Sequence, residues 1–202
     1  DLDLYVTNEN GEKENLYRTN GGGSFEKMTD LIITTDGFNT MSSSWGDIDN
    51  DGDLDLFLAN DGSKNQLFRN EGNFVFTRVL TTDVSKVNAK SFSSAWADID
   101  NDGDLDLFVT NAFQNGQRLK NNLYLNDGTG HLTEVTNEVV VMDEGWSYGC
   151  AFGDYDNDGF QDLAVATTRF GNVDEADYLY HNNGNSNHWL MVSLEGNVSN
   201  KS

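Results

Sequence analysis

Three short acidic stretches carry the residues of this chain that could do chemistry. The middle one reads Asp98-Ile99-Asp100-Asn101-Asp102-Gly103-Asp104-Leu105-Asp106, and nearly the same residues recur at 47–55 and, altered, at 154–162. Such closely spaced carboxylates cannot form a packed core, because burying like charges is costly unless something neutralises them. Calcium would do so, since it takes about six to eight oxygen ligands and suits acidic side chains at alternating positions of a tight loop. The stretches therefore predict calcium loops, in which Gly103 permits a sharp turn.

Comparison of the three stretches separates side-chain ligands from a backbone ligand. Position seven is Asp53 or Asp104 in the first two stretches and Phe160 in the third, and a phenylalanine side chain cannot bind calcium. We therefore predict that position seven contributes its backbone carbonyl, whereas positions one, three, five and nine contribute carboxylates. The predicted carboxylate ligands of the three calcium sites are Asp47, Asp49, Asp51 and Asp55; Asp98, Asp100, Asp102 and Asp106; and Asp154, Asp156, Asp158 and Asp162.

Two other structures could contain such acidic stretches, namely an EF-hand and a solvated turn without metal. An EF-hand needs a bidentate glutamate at position twelve and a helix on each side. Position twelve is Leu58, Val109 or Val165, which excludes an EF-hand. A solvated acidic turn without metal is disfavoured because one ligand spacing recurs three times. Each stretch is followed by a short apolar run, such as Leu56-Phe57-Leu58-Ala59, that is typical of a buried strand.

Composition limits the partners of the chain. The 202 residues carry a formal net charge of −22, and 14 of the 34 acidic residues lie in the three acidic stretches. Three bound calcium ions would leave a charge of about −16, which still repels phosphate groups. We therefore expect no nucleic-acid partner. No apolar run approaches the length of a membrane-spanning helix, so we also expect no membrane insertion. Cys150 is the one cysteine, which excludes an internal disulfide.

The chain repeats a unit of about 50 residues. A second signature, Gln66-Leu67-Phe68-Arg69 in one copy, follows each acidic stretch, and turn sequences such as Asn70-Glu71-Gly72-Asn73 come after it. In the second unit we predict strands at about 43–46, 55–59, 66–69 and 74–80, the first one rich in small residues, as a strand crowded near a central axis would be. We predict no long helix. Repeated four-stranded antiparallel units predict an all-β fold, a β-propeller of about 3.75 blades.

The predicted blades cover residues 1–30 in part, 42–80, 93–136 and 147–195 of the chain. The chain opens at position seven of a further acidic stretch, of which only Asp1 and Asp3 remain as candidate ligands. We expect this partial site to bind calcium weakly or not at all. We also expect the chain to be a segment of a longer protein.

The pattern Phe152-Gly153-Asp154-x-Asp156-x-Asp158-Gly159-x-x-Asp162-Leu163, with Trp45-Gly46 and Trp96-Ala97 as variants, resembles the FG-GAP/VCBS repeat of integrin-α-like propellers. The resemblance implies a loop that joins strands one and two of each blade and binds calcium on one face. It also implies ligand binding on the opposite face, and a ring that usually closes with seven blades. Residues 183–196 are similar to the start of an ASPIC/UnbV module, which makes 196–202 its truncated beginning.

Other candidate chemistry in the sequence is sparse. His131, His181 and His188 lie in separate contexts and predict no zinc site, and Cys150 is interpreted as a buried free thiol. We identify no catalytic residue and no organic cofactor site. Partner contact is predicted for the two loops that vary in length, 111–121 and 167–177. Their candidate contact residues are Phe113, Gln114, Arg118 and Lys120 in the first loop, and Arg169, Phe170 and Asp174 in the second.

These observations lead to one preferred function and two alternatives. The preferred function is a calcium-stabilised propeller segment of a secreted or cell-surface protein that acts in adhesion or ligand binding, with a protein or glycan partner and without catalysis. One alternative is a non-catalytic accessory or scaffold domain of a larger secreted enzyme. The other is a spacer that binds no ligand.

Overall fold

The computed structural model describes residues 2–86, 88–168 and 175–187. The regular secondary structure of these residues is almost wholly β-strand. Its first sheet is antiparallel, with the strand order β1-β2-β3, and a one-turn helix, α1, leads to the next sheet. These elements are β1 (Leu4–Val6), β2 (Asn15–Thr19), β3 (Phe25–Met28) and α1 (Ile32–Thr35).

The second blade has the four antiparallel strands that the sequence predicts, in the order β4-β5-β6-β7. Its strands are β4 (Thr40–Gly46), β5 (Asp55–Lys64), β6 (Gln66–Asn70) and β7 (Phe76–Arg78), and a 3₁₀ turn at Asp83–Lys86 follows. The third blade pairs in the order β8-β9-β12-β13. In chain order it contains β8 (Asn88–Ala97), β9 (Asp106–Asn111), a hairpin of β10 (Phe113–Gln114) and β11 (Gln117–Lys120), β12 (Asn122–Asn126) and β13 (Leu132–Val135).

The fourth blade begins after a second 3₁₀ turn at Val139–Val141. Its elements are β14 (Glu144–Gly145), which pairs with β11, and the antiparallel strands β15 (Ser147–Gly153), β16 (Asp162–Thr167) and β17 (Tyr178–Tyr180). The predicted end of this blade at 188–195 and the predicted module start at 196–202 lie outside the described residues. No helix in the described ranges is long and apolar enough to cross a membrane.

The second strand of the second blade is longer than the sequence predicts. Beyond residue 59, β5 continues to Lys64, and its last residues, 61–64, pair with Asn88, Ala89 and Lys90 of the next blade. This extension is half-exposed and lacks the apolar pattern that marks a buried strand, which is why the sequence pattern did not indicate it. It joins the second and third blades into one continuous sheet.

The hydrophobic core lies between neighbouring blades. Along β5, Leu56 and Leu58 belong to a cluster shared with the first blade, whereas Phe57 belongs to a cluster shared with the third. Successive strand residues point to opposite faces of a sheet, so a strand buried on both faces needs an unbroken apolar run. A third cluster, around Phe108 and Leu163, joins the third and fourth blades. Each blade is thus stabilised by burial against its neighbours, as in a β-propeller.

Small residues let the first strands of neighbouring blades approach closely. The hydroxyl oxygens of Ser44 and Ser94 lie 2.7 Å apart, and the indole nitrogen of Trp96 donates to Ser44 Oγ at 3.0 Å. A Cβ atom on Gly46 would lie 3.0 Å from the Trp96 ring. The small residues of β4 and β8 are therefore required by blade-to-blade packing, as predicted for a strand near a central axis.

Candidate functional site

Each acidic stretch forms a loop between the first and second strands of a blade. Strand pairing closes the first loop where Gly46 faces Asp55. Inside it, the position-one carboxylate of Asp47 accepts the backbone N–H groups of Asp51 and Gly52, at 3.2 and 3.0 Å. The same pair of bonds recurs in the other two loops, from Asp102 and Gly103 to Asp98, and from Asp158 and Gly159 to Asp154.

The loops turn through two residues in the left-handed backbone region. In the first loop these are Asn50, with φ of 58°, and Gly52, with φ of 92°. Glycine adopts positive φ without steric cost, and asparagine tolerates it better than most residues. The other loops place asparagine and glycine at the same positions, Asn101 and Gly103, and Asn157 and Gly159. The sequence prediction that Gly103 sits at a sharp turn is confirmed.

The position-nine carboxylate is buried and anchors the loop to the third strand of its own blade. Asp55 is fully buried and accepts the N–H of Ile48 at 2.8 Å and the N–H of Asn70 at 2.7 Å. The corresponding donors are Ile99 and Asn126 for Asp106, and Tyr155 and Asn182 for Asp162. One carboxylate therefore holds position two of the loop and the end of strand three together.

Three carboxylates converge in every loop. Oxygen atoms from positions one, three and nine lie within 4.8 Å of one another, in the groups Asp47, Asp49 and Asp55; Asp98, Asp100 and Asp106; and Asp154, Asp156 and Asp162. Burial raises the pKa of Asp55 to about 6 and that of Asp106 to about 7, and repulsion from nearby acidic residues contributes to both increases. The pKa values of Asp49 and Asp100 are raised by the same two causes. The groups therefore favour a bound positive charge.

Two buried carboxylate oxygens of the residues in these groups also lack a donor. Oδ1 of Asp49 and Oδ1 of Asp100 are buried, and no group in the described part of the chain donates a hydrogen bond to either. A buried carboxylate oxygen without a partner is costly, unless a proton or a cation satisfies it. Both oxygens belong to position three of a loop. The residues present thus fit a hard divalent cation with oxygen ligands.

The residues at positions five and seven make other contacts than the three converging carboxylates at positions one, three and nine. The carboxylates of Asp51, Asp102 and Asp158 each accept the backbone N–H of the position-seven residue two places later. The position-seven side chains face the turn after strand three, because a Cβ on Gly72, Gly128 or Gly184 would lie close to Asp53, Asp104 or Phe160. This placement is compatible with a carbonyl ligand at position seven. The ligand assignments for positions five and seven stay predictions.

Sequence reasoning missed the asparagine that lies at the end of strand three or just after it. Beyond its N–H bond to the position-nine carboxylate, Asn126 donates its side-chain amide to the carbonyl oxygens of Leu105 and, at 2.8 Å, Ile48. Asn182 makes the equivalent bonds to Gln161 and Ile99. The available signal was an asparagine three residues after the signature leucine in three units. It was interpreted only as a turn residue.

His181 lies beside two carboxylates of the third loop, a contact that the sequence did not indicate. Its Nε2 lies 2.9 Å from Asp156 Oδ2 and 3.7 Å from Asp158 Oδ2. Desolvation lowers the pKa of this imidazole, but the hydrogen bond to Asp156 and the surrounding carboxylates raise it more. In the second blade, Arg69 takes the equivalent place, with its Nε 3.5 Å from Asp49 Oδ2. Two of the three loops thus have a basic side chain beside position three.

The predicted contact loop 111–121 is a hairpin rather than an irregular loop. Phe113 pairs with Arg118 and Gln114 pairs with Gln117, around an Asn-Gly turn at residues 115 and 116 that has positive φ at both positions. Asn-Gly is a strong hairpin signal that the sequence interpretation overlooked here. The Phe113 ring stacks on Trp146 at 4.7 Å between ring centroids.

The structure brings the two predicted contact loops together. Arg118 of the hairpin forms a 2.6 Å ion pair with Glu175 at the end of the second loop. The Glu175 carboxylate also accepts the N–H of Trp146 at 2.9 Å. The hairpin tip and Lys120 are exposed. Other predicted residues lie outside the described ranges, namely Asp1, Arg169, Phe170, Asp174 and His188.

Comparison with known families agrees with this architecture. The FG-GAP-like repeat matches residues 1–58, 47–109 and 111–165, which together cover most of the chain. The chain belongs to the FG-GAP-like repeat family. Among curated proteins, it is similar to integrin alpha-4 of Xenopus laevis, with 34% identity over 94 residues, 42% of this chain. The aligned region of this FG-GAP chain spans 9% of the length of the integrin. The family match agrees with the blades that the structure shows, each acidic loop lying between the first and second strands of a blade.

A solved structure shares the fold of this FG-GAP chain. It is described as the structural basis of specific recognition of non-reducing terminal N-acetylglucosamine by an Agrocybe aegerita lectin. The TM-score is 0.54 at 17% sequence identity, over 92% of this chain and 50% of the lectin chain. At this identity the likeness concerns the fold alone.

Proposed function

We propose that this FG-GAP segment is a calcium-stabilised binding module of a secreted or cell-surface protein, and that it takes no part in catalysis itself. Calcium is structural in this proposal. The ions bind in the loops at 47–55, 98–106 and 154–162, where they neutralise carboxylates that would otherwise repel one another. The partner is a protein, as the similarity to integrin alpha-4 suggests, and it contacts the end of the blades that lies away from the calcium loops.

The observation that carries the calcium proposal is the threefold convergence of the same carboxylates. Positions one, three and nine meet within 4.8 Å in all three loops, although sequence alone brings only positions one and three near each other. The buried oxygens of Asp49 and Asp100 without a donor support a cation at the same places. Position nine would hold the ion while it keeps the loop and strand three together, so that ion binding would brace the blade.

A calcium titration tests this part of the proposal. The chelator-treated chain is titrated with calcium chloride in a calorimeter, with magnesium chloride as the comparison. Extracellular calcium modules bind at roughly 0.1–1 mM, so the titration covers that range. We expect about three bound ions and weaker binding of magnesium, which prefers a rigid octahedral site. Absence of calcium binding by a folded chain would refute the proposal.

The hairpin at 112–120 is the proposed contact surface for the partner. Its aromatic base is rigid, because Phe113 stacks on Trp146 and lies under the ammonium group of Lys90, at 4.9 Å. The ion pair between Arg118 and Glu175 fixes it to the fourth blade. A rigid support lowers the entropy cost of binding, and an exposed tip with amide and cationic side chains offers polar contacts.

A binding screen tests the partner proposal. The chain is immobilised and exposed to extracellular matrix proteins, and its binding to a glycan array is measured as well. A double variant of Gln117 beside the turn and Lys120 at the hairpin base, Gln117→Ala with Lys120→Glu (the tip variant), should abolish binding to any protein captured by the unaltered chain. The matched control is Lys27→Glu, which has the same charge change on β3 of the first blade. Retained binding by the tip variant would overturn the surface assignment, and selective glycan binding would replace the protein partner with a sugar.

A further inference from the structure

Hydrogen bonds join the first and second calcium loops to the blade that follows each of them. The carbonyl oxygen of Ile48, at position two of the first loop, accepts the side-chain amide of Asn126 at 2.8 Å. The same Asn126 donates its backbone N–H to Asp106, a proposed ligand in the second loop, at 2.9 Å. One residue therefore contacts both loops. A second link runs from the Asn50 side chain to Asp104 Oδ1, at 2.7 Å.

The same connection exists between the second and third loops. Asn182 donates its side-chain amide to Ile99 O at 2.7 Å and its backbone N–H to Asp162 at 2.8 Å. The Asn101 side chain reaches the carbonyl oxygen of Gly159 at 3.2 Å. Asn187 adds a bond to the carbonyl oxygen of Asp100, at 2.8 Å. Within the described residues, none of these bonds joins the first loop to the third.

From this connectivity we infer that the calcium sites are coupled in a row: each site binds its ion more tightly when a neighbouring site is occupied, and Asn126 and Asn182 carry the coupling. The inference rests on the proposed function, because it concerns the same three loops. It goes beyond that function by assigning positioning roles to two asparagines that are not ligands.

The physical basis is shared ordering of the loops. An ion bound in the second loop restrains Asp106, which restrains Asn126 and, through its side chain, position two of the first loop. Ordering part of the first loop in advance reduces the entropy that its own ion must overcome, which produces positive cooperativity. Coupling of binding free energies is reciprocal, so both members of a pair gain by the same factor. The middle site has two neighbours and each end site has one.

Titrations of chains with one or two intact loops measure the coupling. A loop is disabled by Asp→Asn changes at positions three and five, for example Asp49→Asn with Asp51→Asn, which keep the shape and the acceptor oxygen of each side chain. Chains with two adjacent intact loops should bind calcium at least about fivefold more tightly per site than chains with one intact loop, the lower end of typical coupling. The chain with only the first and third loops intact should show no gain.

The asparagines are tested in the same two-loop chains. Asn126→Ala should reduce the gain between the first and second loops, where the bond from Asn50 to Asp104 remains, and leave the gain between the second and third unchanged. Asn182→Ala should do the reverse. Asn70→Ala is the matched control. Asn70 makes the same bonds within its own blade, to Asp55 and Leu54, but among the described residues it contacts no second calcium loop.

The outcomes separate the inference from the proposed function. If the unaltered chain binds no calcium although it is folded, the proposed function fails. If every loop binds calcium with the same affinity whether or not its neighbours are intact, the function stands and the coupling is refuted. A gain between the first and third loops as large as that between neighbours would also refute the row arrangement. The two-loop comparison retains both asparagines, so it decides the matter even if an alanine variant fails to fold.

Discussion

The side-chain amide of Asn126 lies 2.8 Å from the carbonyl oxygen of Ile48, although 78 positions separate the two residues in the chain. Asn126 ends the third strand of one blade, and Ile48 lies in the acidic loop of the preceding blade. Ile48 is also fully buried in the cluster between these blades. The acidic loops are therefore part of the blade-to-blade interfaces, and a change in a loop should reach the packing of the whole segment.

Removal of calcium should lower the stability of the chain. A ligand that binds only the folded state stabilises it by an amount that grows with its concentration, about 1.4 kcal/mol per site at ten times the dissociation constant. We therefore expect a clear fall in the melting temperature on chelation, measured by circular dichroism. Addition of calcium beyond the chelator should reverse the fall, and an equal ionic strength of sodium chloride should not.

The Asp106→Ala variant should lose more than a calcium site. Its carboxylate accepts N–H groups from Ile99 and Asn126. Its removal would leave the buried N–H of Asn126 without a partner, at a cost of about 1–3 kcal/mol, and the half-buried N–H of Ile99 at a smaller cost. We expect lower stability even in chelator, measured by urea unfolding, and one fewer bound ion in calorimetry.

The control for this prediction is Asp53→Asn, at position seven of the first loop. Its side chain lies outside the converging carboxylates, and we predict that this position binds through its backbone carbonyl. The variant should keep three ions and nearly unchanged stability. Loss of a site in Asp53→Asn would show that the position-seven carboxylate is a ligand. Unchanged stability of Asp106→Ala in chelator would contradict the anchoring role of position nine.

Gly46→Ala should destabilise the chain by about 1–3 kcal/mol, because the new Cβ would lie 3.0 Å from the Trp96 ring in a packed interface. Gly153 occupies the equivalent position in the fourth blade, and there a Cβ meets nothing within 4 Å. Gly153→Ala is thus the matched control and should be close to neutral. Unfolding in urea measures both. Equal effects of the two substitutions would show that the contact with Trp96 is not the cause.

Cys150 should react slowly with thiol reagents in the folded chain. Cys150 is half-buried rather than fully buried, and desolvation raises the pKa of its thiol to about 11. On the order of 0.1% is therefore thiolate at pH 8, against about a quarter for an ordinary thiol. We expect reaction with Ellman's reagent to be at least about 100-fold slower than in guanidinium. Fast labelling of the folded chain would mean that the thiol is accessible and ionised.

The raised pKa of the Cys150 thiol also predicts the direction in which stability changes at alkaline pH. The unfolded thiol loses its proton near pH 8.5, whereas the folded thiol keeps it until about pH 11. The contribution of Cys150 to stability therefore falls as the pH rises between these values. The Cys150→Ala variant should lose less stability than the unaltered chain over this range, as measured by urea unfolding at pH 8 and pH 10. A larger loss in the variant would contradict the assigned shift.

The sequence by itself determined the repeat, the fold class and the residues of the acidic loops. These follow from local chemistry. Alternating carboxylates with a glycine at the turn indicate an acidic loop within a few residues. An apolar run such as 56–59 likewise indicates a strand that must be buried on both faces. The family comparison confirmed the repeat, and the structure confirmed the four-stranded blade and the crowded first strands.

Only the tertiary structure decided which groups meet across blades. The bonds of Asn126 and Asn182 to the preceding loops, the place of His181 beside Asp156 and the ion pair between Arg118 and Glu175 all join residues that are far apart in sequence or lie in different blades. The extension of β5 to Lys64 depends on a partner strand in the next blade. A pattern along one chain reports which face of a strand is buried, but it does not report what packs against that face. That is settled by how the blades stack, and this is why the links between the loops could not be predicted from the repeat alone.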